Sequence, residues 1–411
     1  MKRLFLFFLF LSYPLYAKDF TVHDLLEAAL SNNLDMKQNQ AMSQAMKKDI
    51  DVQSGWEDTV LMYSLKNISP IDSVNLQHMI SLQQMIPLWG KTAFKAQAAE
   101  MDYQKSLANQ VSVQRMVKMK LLSLSADYAA AAQQFNVYRD ELKLFERLES
   151  IVKTDYSTGK GLLATVVDIE IRISMLHNKI VELTNMLTVI RSRILDIADI
   201  PLSDFGFITP GLDLSNIPAI SMSPASLAGY ALSNNPVYQS AEYEIKKMDA
   251  LGSLAAAEVF PDLGVGVSYM YTPSMSDHMF SLDFMINLPL FSAPKKGAMI
   301  GMAGDKKKDA LLMKQSAADE VARSITQTLL DIDTLTAQAK TLKGQILKLS
   351  ENNIANMLSA YQVQKAGFNE LLDSVLMYYN MRLEYIMTVR ALYDKYFILE
   401  LISGKEFVSF N

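Results

Sequence analysis

The sequence contains no cysteine, so it has no disulfides and no cysteine that could carry an N-terminal lipid. After residue 17 it has no uninterrupted apolar stretch of about 18 residues, so we expect no membrane-spanning helix there. The net charge of −5 argues against a nucleic-acid-binding surface. No nucleophile-elbow Gly-x-Ser-x-Gly, zinc-binding His-Glu-x-x-His or phosphate-binding loop is present. We therefore expect neither enzyme activity nor a cofactor.

Residues that bind metals are also poorly placed. The four histidines (His23, His78, His177 and His278) lie far apart in the sequence and form no ligand motif. The 25 methionines could suit monovalent copper, but methionine is also an ordinary helix former and core residue. The sequence therefore predicts no metal site.

The first 17 residues, MKRLFLFFLFLSYPLYA, are typical of an export signal. Lys2 and Arg3 form its basic part, Leu4–Leu11 its apolar core, and Ala17 ends a plausible cleavage site. A short membrane anchor is the alternative, but the apolar run is too brief to span a bilayer.

The chain contains an internal repeat. EAALSNN at Glu27 returns as GYALSNNP at Gly229, and MIPLW at Met85 returns as NLPLF at Asn287. The corner YSTGKGLLATVVD at Tyr156 returns as YQVQKAGFNELLD at Tyr361. Matches in the same order at nearly constant spacing indicate a tandem duplication. We assign the first copy to 18–198, a proline-spaced connector to 199–224 and the second copy to 225–411.

Long helices dominate both copies. Each copy begins with a helix, which the SNN segment interrupts near its start. We predict further long helices at about 90–153, 161–198, 296–359 and 369–403. Their apolar residues alternate at spacings of four and three, the period of a coiled coil; in the second copy they are Val321, Ile325, Leu329, Ile332, Leu335, Ala339, Leu342, Ile346 and Leu349. The first long helix would measure roughly 90 Å, which indicates a rod.

Strand-like segments precede the long helices. Apolar and polar residues alternate at about 56–67 and 74–86, and again at about 260–272 and 278–290. Two hairpins packed on a soluble core are one interpretation. Strands of about 9–11 tilted residues also span a bilayer, although four strands cannot close a membrane barrel alone. If the chain enters a membrane, it must therefore assemble with other copies, and a conduit needs at least three.

Together, the duplication, the strand-then-PLWGK and strand-then-PLF junctions and the two corners resemble the TolC-like outer-membrane factors of efflux pumps and type I secretion. The segment QQMIPLWGKTAFKAQAAE (Gln83–Glu100) is most similar to the branch that exports heavy-metal cations. This resemblance implies a mainly α-helical homotrimer with a twelve-stranded barrel in the outer-membrane lipid and a periplasmic helical barrel. It also implies a periplasmic adaptor and an inner-membrane transporter of the RND or ABC type as partners.

The resemblance assigns the two corners to the periplasmic tip of the channel. Carboxylates nine and twelve residues after the tyrosine form the gate in this family, which implies Glu370 and Asp373 in the second copy and Asp168, next to Thr165, in the first. In this family a basic residue five after the tyrosine helps to close the tip, but this sequence has Ala366 there and Lys365 one position earlier. Lys365 is therefore a candidate for the closing latch, together with Tyr361, Glu149 and Tyr156. Gly159 matches the family's turn glycine, whereas the second copy has Gln364 there and Gly367 three residues later, which leaves its turn geometry open.

The implied function is a passive exit duct for heavy-metal cations or drugs. The alternatives are an exit duct for type I protein secretion and a structural coiled-coil protein of the cell envelope without a pore.

Overall fold

The computed structural model describes residues 20–68, 76–201, 220–288 and 291–408. The predicted export signal, most of the connector 199–224 and most of the hairpin turn Asn67–Asn75 lie outside these residues. So do residues 289–290 of the NLPLF segment.

The described chain is mainly helical with a four-stranded sheet, which confirms the predicted fold class at that level. The first half contains α1 (Val22–Asn32), α2 (Leu34–Ser54), β1 (Val60–Lys66), β2 (Gln77–Ile86), α3 (Lys91–Ser157) and α4 (Leu163–Ala198). The second half contains α5 (Pro224–Asn234), α6 (Pro236–Ala257), β3 (Leu263–Thr272), β4 (Asp277–Ile286), α7 (Ala293–Thr341), a π-helical turn (Leu342–Ile346), α8 (Leu347–Gln362) and α9 (Phe368–Ser403). The order of elements in the first half is thus repeated in the second.

None of the helices in the described ranges is long and apolar enough to cross a membrane.

An asparagine separates the first two helices of each half. Asn33 accepts a hydrogen bond from the backbone N–H of Asp35 (2.9 Å), which caps the start of α2. Asn235 caps α6 by accepting from the backbone N–H of Val237 (2.9 Å). Both belong to the repeated SNN segment, so one local sequence produces the same helix break twice.

The chain divides into two compact units, and each takes residues from both copies. The strand unit contains Lys37–Val113 and Leu232–Glu320, and the corner unit contains the remainder of the described chain. The boundaries of these units therefore differ from those of the sequence copies.

In the strand unit the four strands pair antiparallel in the order β1-β2-β3-β4, so β2 of the first copy pairs with β3 of the second. The register places Ile80, Tyr269 and Phe280 in one row across the sheet. One surface, here called the apolar face, presents Leu61, Tyr63, Leu65, His78, Ile80, Leu82, Gln84, Ile86, Leu263, Val265, Val267, Tyr269, Tyr271, His278, Phe280, Leu282, Phe284 and Ile286.

The opposite surface, here called the mixed face, presents serine, glycine and methionine together with Val60, Lys66, Gln77, Gln83, Thr272, Asp277 and Asp283. The most exposed of the large side chains lie on the apolar face, and Val60, Met62 and Met279 of the mixed face are 52%, 47% and 41% exposed. On the apolar face Phe280, Leu282 and Phe284 are 80%, 74% and 75% exposed, whereas on the mixed face Ser81 and Ser268 are only 2% and 4% exposed. Ser268 also donates a hydrogen bond to the Asp283 carboxylate (2.6 Å). The large apolar side chains of β4 are thus left uncovered.

In the corner unit, α3 and α7 bury residues at the predicted coiled-coil spacing. Val321, Ile325, Ile332, Ala339 and Leu342 are all buried along α7 and into the π-helical turn. The prediction that Leu349 continues this seam is wrong: Leu349 is 68% exposed, and Ser350 is 4% exposed in its place. The π-helical turn Leu342–Ile346 explains the change, because it inserts one residue and shifts the buried face by one position.

Candidate functional site

The first corner, between α3 and α4, is a Schellman turn. The backbone N–H of Lys160 donates to the carbonyl of Asp155 (2.8 Å), and that of Gly159 donates to the carbonyl of Tyr156 (3.0 Å). Gly159 has φ +73°, the left-handed conformation that this turn requires and that glycine adopts at little cost. The predicted turn glycine therefore ends α3.

The second corner, between α8 and α9, has the same geometry without a glycine. The backbone N–H of Lys365 donates to the carbonyl of Ala360 (2.8 Å), and the backbone N–H of Gln364 donates to the carbonyl of Tyr361 (3.0 Å). Gln364 occupies the left-handed position with φ +59°. Gly367, three residues later, is instead the N-cap of α9 with an extended φ of −78°. This resolves the question that the sequence left open: the second turn is of the same type, and its left-handed residue carries a side chain.

The helices that leave the corners also correspond. The N-cap residues are Leu162 for α4 and Gly367 for α9, so Thr165 and Glu370 both stand three residues into their helices. The Glu370 carboxylate accepts a hydrogen bond from the backbone N–H of Gly367 (3.0 Å). This bond holds the carboxylate back against the helix N-terminus, where the helix dipole favours a negative charge.

The next carboxylates along the two helices differ in their neighbours. Asp168 forms an ion pair with Arg172 one turn later, with 3.2 Å between Nε and Oδ2. The position one turn after Asp373 is Met377, and within the described ranges the exposed Asp373 side chain forms no hydrogen bond or ion pair. The second corner therefore presents an uncompensated negative charge at Asp373, whereas the charge of Asp168 in the first corner is compensated by Arg172.

A side-chain hydrogen bond joins the second corner to the end of α3. The Tyr361 hydroxyl donates to the carboxylate of Asp155 (3.1 Å), and the Tyr361 ring packs edge-on against Phe368, with 6.0 Å between ring centroids. Burial, together with this hydrogen bond and the Asp155 charge, raises the pKa of Tyr361 to about 12. The equivalent Tyr156 of the first corner is 47% exposed, and its hydroxyl has no hydrogen-bond partner among the described residues.

The other residues predicted for the latch have different surroundings. Glu149 accepts a hydrogen bond from Lys153 (2.8 Å). Lys153 also reaches Glu170 on α4 (2.9 Å), so it ties the two helices of the first corner together. Lys365 is exposed and makes no side-chain ion pair within the described part of the chain. Of the predicted latch residues, only Tyr361 thus makes a contact between the two corners.

The sequence did not identify Asp155 as the partner of Tyr361. Asp155 directly precedes the repeated corner motif, and the corresponding position of the second copy is Ala360. Comparison of the two copies therefore does not single out Asp155. Glu141 was also missed. It is buried on α3, and burial raises the pKa of its carboxyl to about 7, although the charge of Arg172 opposes this rise.

Within the described residues, no group of three or more histidine, cysteine, aspartate or glutamate side chains is arranged to hold a metal ion.

The fold is that of bacterial outer-membrane channels, which confirms the resemblance to the TolC-like family at the level of fold. A membrane protein of Pseudomonas aeruginosa superposes with a TM-score of 0.81 at 14% identity, over 93% of each chain. The outer-membrane channel MtrE of Neisseria gonorrhoeae, in its open state, gives 0.79 at 16% identity, over 94% of this chain and 91% of its own.

The outer membrane protein VceC of Vibrio cholerae gives a TM-score of 0.78 at 12% identity, over 94% of this chain and 97% of its own. No protein-family profile and no curated protein sequence matches the chain. Membership of the heavy-metal branch remains a prediction.

Proposed function

We propose that three copies of this chain form an outer-membrane exit duct, through which an inner-membrane transporter expels its cargo by way of a periplasmic adaptor. The observation that carries this proposal is the exposure of large apolar side chains on one face of the sheet, where Phe280, Leu282 and Phe284 are 80%, 74% and 75% exposed. The fold of the chain, shared with outer-membrane channels, supports it.

Contact with lipid explains the apolar face. Phenylalanine and leucine are exposed there on strands of ten residues, about the length that crosses a bilayer at a tilt. A soluble hairpin would cover these side chains, since each buried leucine or phenylalanine contributes about 2 kcal/mol to stability. Lipid tails cover them equally well.

The edges of the sheet explain the assembly. Among the described residues β1 and β4 each pair with one strand only, so each presents a row of backbone N–H and C=O groups that lack a partner in the described sheet. In hydrocarbon such groups cost several kcal/mol each, so the edges must pair with neighbouring copies. Three copies supply twelve strands, wide enough to enclose a lumen lined by the mixed face.

The corners form the gate in this proposal. Three copies bring six corners together in a ring at the periplasmic end. Glu370 and the uncompensated Asp373 would then surround the pore with negative charge and favour cations. The hydrogen bond from Tyr361 to Asp155 holds the two corners of one chain together. Release of this bond is a step in the opening of the gate.

The cargo follows from the partners. A wide duct selects little, so the transporter decides whether heavy-metal cations, drugs or secreted proteins pass. We favour small cargo of the efflux type and retain type I protein secretion as the second possibility. The adaptor is expected to contact the outer surface of the corner ring.

Conductance across planar lipid bilayers tests the proposal. The mature protein should give discrete, cation-preferring openings, whereas a coiled-coil envelope protein without a pore would give none. Leu282→Arg on the apolar face and Ser281→Arg on the mixed face form a matched pair. A lipid-facing arginine costs about 2–4 kcal/mol, so Leu282→Arg should abolish insertion, whereas Ser281→Arg should insert and reduce cation conductance. Equal effects of the two substitutions would contradict the assigned faces.

A further inference from the structure

Three methionines lie side by side on the mixed face of the sheet. Met79 of β2 is the register partner of Met270 of β3, which is in turn the partner of Met279 of β4. Neighbouring strands lie about 4.8 Å apart, so these three side chains leave the sheet next to one another. They are here called the methionine row.

Two further methionines converge on the same face. Met85 and Met285 flank Gly264 in the register. A Cβ built on Gly264 would lie 2.9 Å from the Sδ of Met85 and 3.0 Å from the Cε of Met285. The two thioether groups thus fold over the glycine from both sides, into space that a side chain at Gly264 would fill. They are here called the methionine pair.

Packing over Gly264 accounts for the position of the methionine pair but not for the methionine row. Methionine usually fills gaps in apolar cores, but the mixed face has serines between the two methionine groups, in the row Ser81, Ser268 and Ser281. None of Met79, Met270 and Met279 is fully buried. On this polar, partly exposed face the three side chains of the row gain little from packing, so the sulfur atom is the property that distinguishes them from leucine there.

That property is the soft, polarisable sulfur. Thioethers bind monovalent copper and silver and have little affinity for hard cations, which prefer oxygen ligands. The three rotatable bonds of methionine allow Met79 and Met279 to lean towards Met270, so three sulfurs can reach one ion. Two carboxylates of β4 lie on the same face: Asp277, two residues before Met279, and Asp283, which accepts a hydrogen bond from Ser268.

We propose that the methionine row binds a soft monovalent cation, Cu(I) or Ag(I), and that the methionine pair is a second site of the same kind. The binding chemistry needs only the sheet of one chain. Its role, transient contact with soft cations that pass through the lumen, rests on the proposed function and specifies one class of cargo.

The test is calorimetric titration of the detergent-extracted full chain with Ag(I) in chloride-free buffer, with Zn(II) and Na⁺ as comparison ions. Ag(I) undergoes no redox change under these conditions. The wild type should bind Ag(I) and neither comparison ion. Met79→Leu combined with Met270→Leu and Met279→Leu should remove the binding of the row, and Met85→Leu with Met285→Leu should remove the remainder.

Leucine has a volume close to that of methionine, so these variants should keep the fold. The matched control replaces three exposed helical methionines, Met175, Met186 and Met313, with leucine and should leave Ag(I) binding unchanged. Equal losses in the control and the row variant, or Ag(I) binding unchanged in the row variant, would overturn the proposal. Bilayer conductance keeps the two proposals distinguishable. If the wild type conducts ions but binds no Ag(I), the proposed metal sites are rejected and the proposed exit duct is retained.

Discussion

The hydroxyl of Tyr361 donates a hydrogen bond to the carboxylate of Asp155, although 206 positions separate the two residues in the sequence. The bond joins the end of α8 to the end of α3, one helix from each copy of the repeat. Because the second copy has Ala360 where the first has Asp155, the duplication has not produced a symmetric counterpart of this bond.

Removal of this bond should favour the open corner ring. Tyr361→Phe keeps the ring that packs on Phe368 but removes the hydroxyl, and loss of one partly exposed hydrogen bond should shift the equilibrium between closed and open states by about 1 kcal/mol. Single-channel recordings should show a higher open probability. Tyr156→Phe, which alters the equivalent tyrosine of the first corner, should leave gating unchanged, and equal gating in both variants would argue against the link.

Asp373 should contribute more to cation preference than Asp168. Asp373→Asn removes an uncompensated charge, whereas Asp168→Asn removes one that Arg172 already balances at 3.2 Å. Reversal potentials under a salt gradient should therefore change clearly for Asp373→Asn and little for Asp168→Asn. The reverse order would mean that the first corner, rather than the second, sets the selectivity.

The two turn residues should respond to substitution with opposite signs. Gly159→Ala places a side chain at φ +73° in open space, so only backbone strain remains, and it should destabilise the protein by about 1 kcal/mol. Gln364→Gly relieves the same strain and should stabilise it by about 0.5 kcal/mol. Thermal unfolding midpoints measure both. A fall in both midpoints would show that the Gln364 side chain makes a stabilising contact in the assembly.

Glu141 should make stability depend on pH. The pKa of its carboxyl is raised from 4.5 to about 7, so the folded chain holds this proton more tightly than the unfolded chain. Its contribution is complete below about pH 4.5 and is lost as the pH rises towards 7, a decrease of about 2–3 kcal/mol in the free energy of unfolding. Burial causes the shift, and the charge of Arg172 from α4 opposes it. Burial and the Glu141 charge in turn raise the pKa of Tyr138 on α3 and of Tyr379 on α9.

Glu141→Gln should therefore raise the unfolding midpoint near pH 8 and flatten its dependence on pH. Glu146→Gln, which changes an exposed carboxylate of the same helix, is the control and should retain the wild-type profile. If the profile of Glu141→Gln matches the wild type, Glu141 is ionised at its usual pH in the assembly.

The sequence predicted the parts of this fold that depend on local patterns. Alternation around Ile80 and Phe280 located the strands, and the repeated corners at Tyr156 and Tyr361 located both helix turns. Two features could not be predicted from the sequence, because they depend on contacts between segments that are distant in the chain. The pairing of Met79 with Met270 requires the register between strands from different copies, and the bond between Tyr361 and Asp155 requires the packing of α8 beside α3.

The π-helical turn at Leu342–Ile346 could not be predicted from the sequence for a different reason. The seven-residue period of apolar residues runs through it without a break, from Ala339 to Leu349. One inserted backbone residue leaves no mark in such a pattern, because the helix on both sides remains apolar at the expected spacing. Only the exposure of Leu349 and the burial of Ser350 show the change.

The most direct test of the account is the native mass of the mature protein extracted from membranes in mild detergent. In the proposed duct each chain supplies four of the twelve strands, so one chain cannot close a pore alone. The expected result is a complex of three chains that needs detergent to remain in solution. A single copy that stays soluble after the detergent is removed would contradict it.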